Sequence, residues 1–244
     1  MNLVIDVGNT LLKLAVFQNN ELKFKKTCLK KDFLELLADV FESFPDTAKC
    51  IISSVGHLSD HQLLKLKQRV SVLELTHEIS LPFSNAYGTP NTLGVDRIAL
   101  VSAASKYYPQ KNVLIIDVGS CITYDFLSNE NTYLGGAISP GVEMRYKAMN
   151  TFTSKLPLLE PSTPKKLVGN STATSMHSGV MHGILYEIDG FISVYLKKYD
   201  DLTVILTGGG AHFLRDSLKN DIFANSNFLL EGLNYILELN NNEC

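Results

Sequence analysis

Several things are scarce in this 244-residue chain, and each scarcity excludes a class of protein. There are four cysteines, at 28, 50, 121 and 244, and no two form a C-x-x-C pair. That speaks against a structural zinc site and against a disulfide framework. No uncharged apolar run reaches the ~18 residues of a membrane helix, and no basic segment followed by an apolar one opens the chain. The expected setting is therefore cytoplasmic, with no membrane partner. The formal net charge is −3 and no long basic stripe occurs, so no nucleic-acid partner is expected. The lysine-rich KFKKTCLKK at 23–31 reads as a solvated face. The six histidines are scattered; His57 and His61 are spaced to meet on a helix, but no third metal ligand accompanies them. The P-loop pattern G-x-x-x-x-G-K-[ST] is also missing.

What remains is an ordinary globular composition, 45% hydrophobic and 19% charged. A chain of this size can bury roughly 70–75% of its unfolded surface, so it needs no staple. Strand-like runs are expected at 2–6 and 11–17, and a helix over 32–44 from the spacing of Phe33, Leu36, Leu37, Val40 and Phe41. A buried strand follows at 50–55, then a helix capped by Ser59 or Asp60, then a helix over 95–108. The second part repeats the opening: NVLIIDVGS ends one strand and CITYDFL begins another. STATSM (171–176) opens a long helix to about Leu196, LTVILTGGG (202–210) is a strand running into a glycine turn, and AHFLRDSL is a short helix. FLLEGLNYILEL reads as a strand end followed by a terminal helix.

The two Asp-x-Gly turns, at Asp6 and Asp117, lie about half the chain apart. An internal duplication of an α/β unit accounts for this. The expected architecture is two similar halves, 1–105 and 106–244, with a nucleotide cleft between them. A turn of small residues offers backbone N–H groups to phosphate oxygens, and glycine permits the close approach. A carboxylate just before it makes sense when a cation sits between carboxylate and phosphates. Paired turns of this kind point to a nucleoside triphosphate with its metal, with Lys13 adding positive charge.

Together with TGG at 207–209, these turns resemble the actin, sugar kinase and Hsp70 superfamily, which implies duplicated actin-like (ribonuclease H-like) domains. More closely, the chain resembles type III pantothenate kinases. The matching pieces run from end to end: DVGNT with Lys13, Tyr87 before GVDR (94–97), DVGS with Thr123, GGAISPG (135–141), Asn170-Ser171-Thr172, TGG and LEGL (230–233). Two positions depart from the pattern. Ser120-Cys121 replaces the usual threonine-alanine, keeping the hydroxyl, and Gly210 stands where an acidic residue is common.

The resemblance implies transfer of the ATP γ-phosphoryl group to the primary hydroxyl of pantothenate, with Mg²⁺ and a monovalent cation, K⁺ or NH₄⁺. It implies Asp96 as the catalytic base. ATP contacts would come from Asp6, Val7, Gly8, Asn9, Thr10, Leu11, Leu12, Lys13 and Ser120. Pantothenate contacts would come from Tyr87, Gly94, Val95, Asp96, Arg97 and Thr172, and Asp117 would hold the monovalent cation. It also implies a homodimer. The long helix carries Met176, Val180, Ile184, Ile188 and Ile192 as an apolar stripe, with Gly179 and Gly183 beside it, and this stripe is the expected dimer contact. Periodicity alone favours packing on the chain's own sheet, and it is the resemblance that turns the expectation towards a partner subunit. Two other functions remain open at the level of sequence: a kinase of another small alcohol, and an actin-like nucleotide-binding regulatory protein.

Overall fold

A computed structural model describes residues 1–8, 11–54, 56–214 and 217–240. Asn9 and Thr10, two of the expected ATP contacts, therefore lie outside the described residues. The chain divides into two compact units, Met1–Pro109 with Asn227–Cys244, and Gln110–Ser226. This differs from the expected halves 1–105 and 106–244, because the C-terminal segment returns to the first unit.

The first unit holds β1 (Asn2–Val7), β2 (Leu11–Gln18), β3 (Glu21–Leu29), α1 (Phe33–Ser43), β4 (Lys49–Ser54), α2 (Asp60–Lys67), β5 (Ser71–Glu74), the two-residue β6 (Ser84–Asn85) and α3 (Val95–Tyr107). Its sheet runs β3-β2-β1-β4-β5. Central β1 is apolar on both faces, as a strand covered on both sides must be. Leu3, Ile5 and Val7 pack with Leu12, Leu14 and Val16 against Phe33, Leu36, Leu37 and Val40 of α1. On α2, Ser59 caps the first turn and exchanges hydrogen bonds with Gln62, while His57 falls before the helix and does not share a face with His61. The lysine-rich segment is edge strand β3, where exposed charge discourages pairing with another sheet.

FLLEGLNYILEL is helical throughout, as α7 (Phe228–Leu239), with no strand at its start. It packs against α3, β1 and β4. Gly232 makes that packing possible: a Cβ there would sit 1.9 Å from the Ala99 carbonyl oxygen and 2.8 Å from its carbon.

The second unit holds β7 (Asn112–Val118), β8 (Cys121–Leu127), β9 (Thr132–Pro140), α4 (Val142–Phe152), α5 (Thr172–Lys198), β10 (Leu202–Thr207), α6 (Ala211–Leu214) and β11 (Phe223–Ala224). Its strands run β11-β10-β7-β8-β9. The α5 stripe is buried in this unit's own core: Met176, Val180, Ile184, Ile188 and Ile192 pack with Leu114, Ile116, Tyr124 and Leu206. The expected dimer contact through that stripe is thus corrected. The stripe serves its own sheet, and residues such as Tyr186, Gly190 and Val194 form the exposed face of the helix.

The duplication is legible in the strand pairing. β1 is antiparallel to β2 and parallel to β4, while β7 is antiparallel to β8 and parallel to β10. Asp6 stands opposite Lys13 and Ser53, and Asp117 opposite Thr123 and Thr207. Beyond each row, the Gly56 N–H donates to the Val7 carbonyl and the Gly210 N–H to the Val118 carbonyl, both at 2.9 Å. The hairpins differ in length. Val7 pairs with Leu12 but Val118 with Ile122, so the second turn is one residue shorter and Thr123 occupies the place of Lys13.

Candidate active site

In the first unit, the last residue but one of β1 is Asp6, which is only 6% exposed. The Lys13 ammonium lies 3.3 Å from its Oδ2. Burial raises the Asp6 pKa above the ordinary carboxylate value; Lys13 opposes this, and the Asp96 carboxylate adds to it. Asp6, Lys13 and Asp96 therefore belong to one electrostatic cluster. In the same row, the hydroxyl of fully buried Ser53 has no hydrogen-bond partner among the described residues. A buried polar group left so calls for a water or an ion.

Asp96 sits in the first turn of α3, which starts after Gly94. Its Oδ1 accepts the Arg97 N–H at 2.8 Å. A Cβ at Gly94 would come within 2.4 Å of that oxygen, so only glycine leaves the carboxylate its place. Arg97 is buried, and its guanidinium carbon lies 5.6 Å from the centre of the Tyr87 ring. Ahead of the helix, His77 Nε2 is 2.8 Å from the Leu93 carbonyl oxygen and steadies the approach to Gly94. Val7 and Leu12 face the apolar core, so only their backbone can reach a ligand.

In the second unit, Asp117 ends its row under the glycine turn that follows β10. Gly208 has φ +91, and a Cβ there would sit 2.3 Å from Asp117 Oδ1. Thr123, 8% exposed, has no hydrogen-bond partner for its hydroxyl among the described residues. Ser120 is exposed on the β7–β8 turn. Thr172 opens α5 beside the cap Ser171, whose Oγ accepts the Thr174 N–H at 3.2 Å. Thr172 lines an open cavity of about 680 Å³ with Met149, Leu156, Asn170 and Ser175.

These donors fit cations. The first row combines a buried carboxylate with an orphaned hydroxyl, oxygen ligands suited to Mg²⁺. The second combines a carboxylate, an orphaned hydroxyl and a glycine cradle, and its sequence supplies no lysine where the first row has Lys13. Ser53 and Thr123 were not singled out as cation ligands from sequence. Their signal is the cross-strand register to an Asp-x-Gly aspartate.

The family model described as type III pantothenate kinase matches residues 2–194. The chain belongs to the type III pantothenate kinase family. It is similar to a type III pantothenate kinase of Christiangramia forsetii, 55% identical with 98% of this chain and 99% of that one covered. It is likewise similar to the type III pantothenate kinase of Flavobacterium johnsoniae, 45% identical with 96% of each covered. Among solved structures, a glucokinase from an Antarctic psychrotroph superposes with TM-score 0.51 at 11% identity, covering 98% of both chains. That likeness concerns the fold, an actin-like pair of mixed sheets. Among the described residues of this type III pantothenate kinase family member, no helix is long and apolar enough to cross a membrane.

Proposed function

We propose that this protein transfers the γ-phosphoryl group of ATP to the primary hydroxyl of pantothenate, giving 4'-phosphopantothenate, the first step of coenzyme A biosynthesis. Family membership over residues 2–194 supports the reaction. The observation that carries the mechanism is the placement of two carboxylates in one unit, buried Asp6 beside Lys13 near the end of β1 and Asp96 in the first turn of α3.

Asp96 takes the proton of the attacking hydroxyl. It is held for this by the Arg97 N–H and by the space that Gly94 leaves. The Arg97 guanidinium, lying over Tyr87, offers a planar fork to the pantothenate carboxylate. Gly94, Val95 and Thr172 complete the substrate contacts. Gly8, Lys13 and the turn at Ser120 contact ATP, with Asn9, Thr10 and the backbone of Val7, Leu11 and Leu12. Asp6, with Ser53 in its row, would hold Mg²⁺, and Asp117 with Thr123 would hold K⁺ or NH₄⁺. When bound, these cations neutralise phosphate charge that develops during transfer. The protein is read as a cytoplasmic homodimer. Apolar side chains left exposed on α5 and on neighbouring α4, Met144, Tyr186 and Val194, support a partner subunit there.

The test is ADP release measured with pantothenate against a panel of other alcohols, for wild type and Asp96→Asn. Asparagine keeps the shape but cannot take a proton, so kcat should fall by ~10²–10⁴-fold while pantothenate Kd stays within a few-fold. Retention of more than about a tenth of kcat would remove Asp96 from the role of base.

A further inference from the structure

We propose that Arg145 is a positioning residue for the phosphate-binding turn Gly119–Cys121, acting through Pro140 and Gly141. The proposal rests on the reading of that turn as an ATP contact. Arg145 lies on α4 and uses its guanidinium in two directions. Nε donates to the Pro140 carbonyl at 2.9 Å. One terminal nitrogen donates to Ser139 Oγ at 2.9 Å and to Glu187 at 2.6 Å. Glu187, on α5, also accepts the hydroxyl of Tyr124 at 2.9 Å. Tyr124 is fully buried and stacks on Phe191 with ring centres 4.0 Å apart. Burial pulls the Glu187 pKa up, but hydrogen bonds from Arg145, Ser139 and Tyr124 outweigh it and hold the carboxyl below its usual range. The end of β9 is thereby tied to a rigid part of the core.

From there the connection to the turn is direct. The Gly141 N–H donates to the Ser120 carbonyl at 3.1 Å. A Cβ at Gly141 would stand 2.4 Å from the Gly119 carbonyl oxygen and 2.5 Å from that of Ser120. Both carbonyls thus rest against Gly141. In a trans peptide the C=O and the following N–H point in opposite directions. The N–H groups of Ser120 and Cys121 are therefore aimed away from Gly141, as a pair of donors of the kind that binds phosphate oxygens. The position of Pro140–Gly141 decides that aim, and Arg145 holds Pro140. An ion pair that still meets solvent, as this one does, is a weak stability device. A fork that spans a carbonyl and a carboxylate in fixed directions is a good positioning device, and lysine cannot reproduce it.

The experiment uses the full chain and compares Arg145→Lys, Glu187→Gln, Ser120→Ala and, as a control, Lys147→Met. Lys147 pairs with Glu143 on the exposed side of the same helix. The readouts are KM for ATP, KM for pantothenate, the Kd of ADP by calorimetry, and the melting temperature. Arg145→Lys should raise the ATP KM and the ADP Kd about tenfold, the scale of one charge-assisted hydrogen bond, with pantothenate KM within about twofold. Glu187→Gln keeps the hydrogen-bonding shape and should raise the same two constants less. Lys147→Met should change none of them. A wild-type ADP Kd in Arg145→Lys overturns the proposal, as does an equal loss for both substrates that follows a fall in melting temperature. Ser120→Ala separates this from the reading beneath it. If it weakens ADP and Arg145→Lys does not, only the role of Arg145 falls; if neither does, both fall. Weakening by Arg145→Lys alone supports the proposal with the N–H groups, rather than the hydroxyl, as the contact.

Discussion

Gly232→Ala adds one methyl group at the crossing of α7 and α3, and its effect can be worked out from distances. The new Cβ would lie 1.9 Å from the Ala99 carbonyl oxygen and 3.2 Å from the Ala103 nitrogen. A carbon needs about 3.3 Å from a carbonyl oxygen. One helix must therefore withdraw by roughly 1.4 Å on that scale. The obstruction is backbone, so no rotamer change relieves it. Overpacking of this kind costs ~1–3 kcal/mol, and the higher helix propensity of alanine returns up to ~1. The net loss of ~1–2 kcal/mol corresponds to a melting temperature lower by ~2–8 °C in a chain of this size. Ala99 is one turn from Asp96 on α3, so the shift reaches the proposed base. A misplacement of about 1 Å can cost ~10²-fold in rate. We expect kcat to fall at least ~10-fold by that reasoning, measured by coupled ADP release beside a thermal melt. A variant with wild-type melting temperature and wild-type kcat would refute the argument that this glycine sets the height of α3.

The same substitution should have the opposite sign at Gly190, where an added Cβ meets nothing within 4 Å. Gly190→Ala on α5 should stabilise by ~0.5–1 kcal/mol, and a lower melting temperature instead would mean that a partner subunit covers this face. Asp6→Asn should abolish Mg²⁺-dependent ATP binding yet raise the melting temperature at pH 7.5. Because burial raises the Asp6 pKa, stability from this group is fully present below the unfolded value of 3.8 and is lost as pH rises through the folded value. The difference between variant and wild type should therefore shrink towards pH 4, and an Asp6→Asn protein less stable than wild type at pH 7.5 would contradict this assignment. Activity should respond to K⁺ or NH₄⁺ and Asp117→Ala should lose that response; equal rates in sodium-only and potassium buffers would remove the role.

The two Asp-x-Gly turns were legible because strand endings and small residues are local signals, and most elements followed from local periodicity. What was not legible depends on partners distant in sequence. The stripe of α5 has the right spacing for any apolar surface, and the spacing carries no label for which surface it meets. Helix α4 buries only Val142 and Tyr146, too few to print a period. Phe228, Leu229 and Leu230 form a short apolar run that suits a strand or a helix equally. The first hydroxyl of interest, Ser53, is one serine among several until the parallel register places it beside Asp6. Likewise, that Thr123 stands in the place of Lys13 emerges only when the shorter second hairpin is counted through its pairs.

The return of α7 to the first unit bears on the order in which the protein can fold during synthesis. Residues 110–226 form one continuous segment and can close their own core as soon as they leave the ribosome. The first unit cannot. Its opening strands emerge earliest, yet the helix that supplies Phe228, Leu230, Leu233, Ile236 and Leu237 to it is translated after the whole second unit. Until then the surface of β1 and β4 that α7 will cover, and the side of α3 that will receive Gly232, wait open. At ~5–20 residues per second that wait lasts roughly 6–25 seconds, a window in which a chaperone can act.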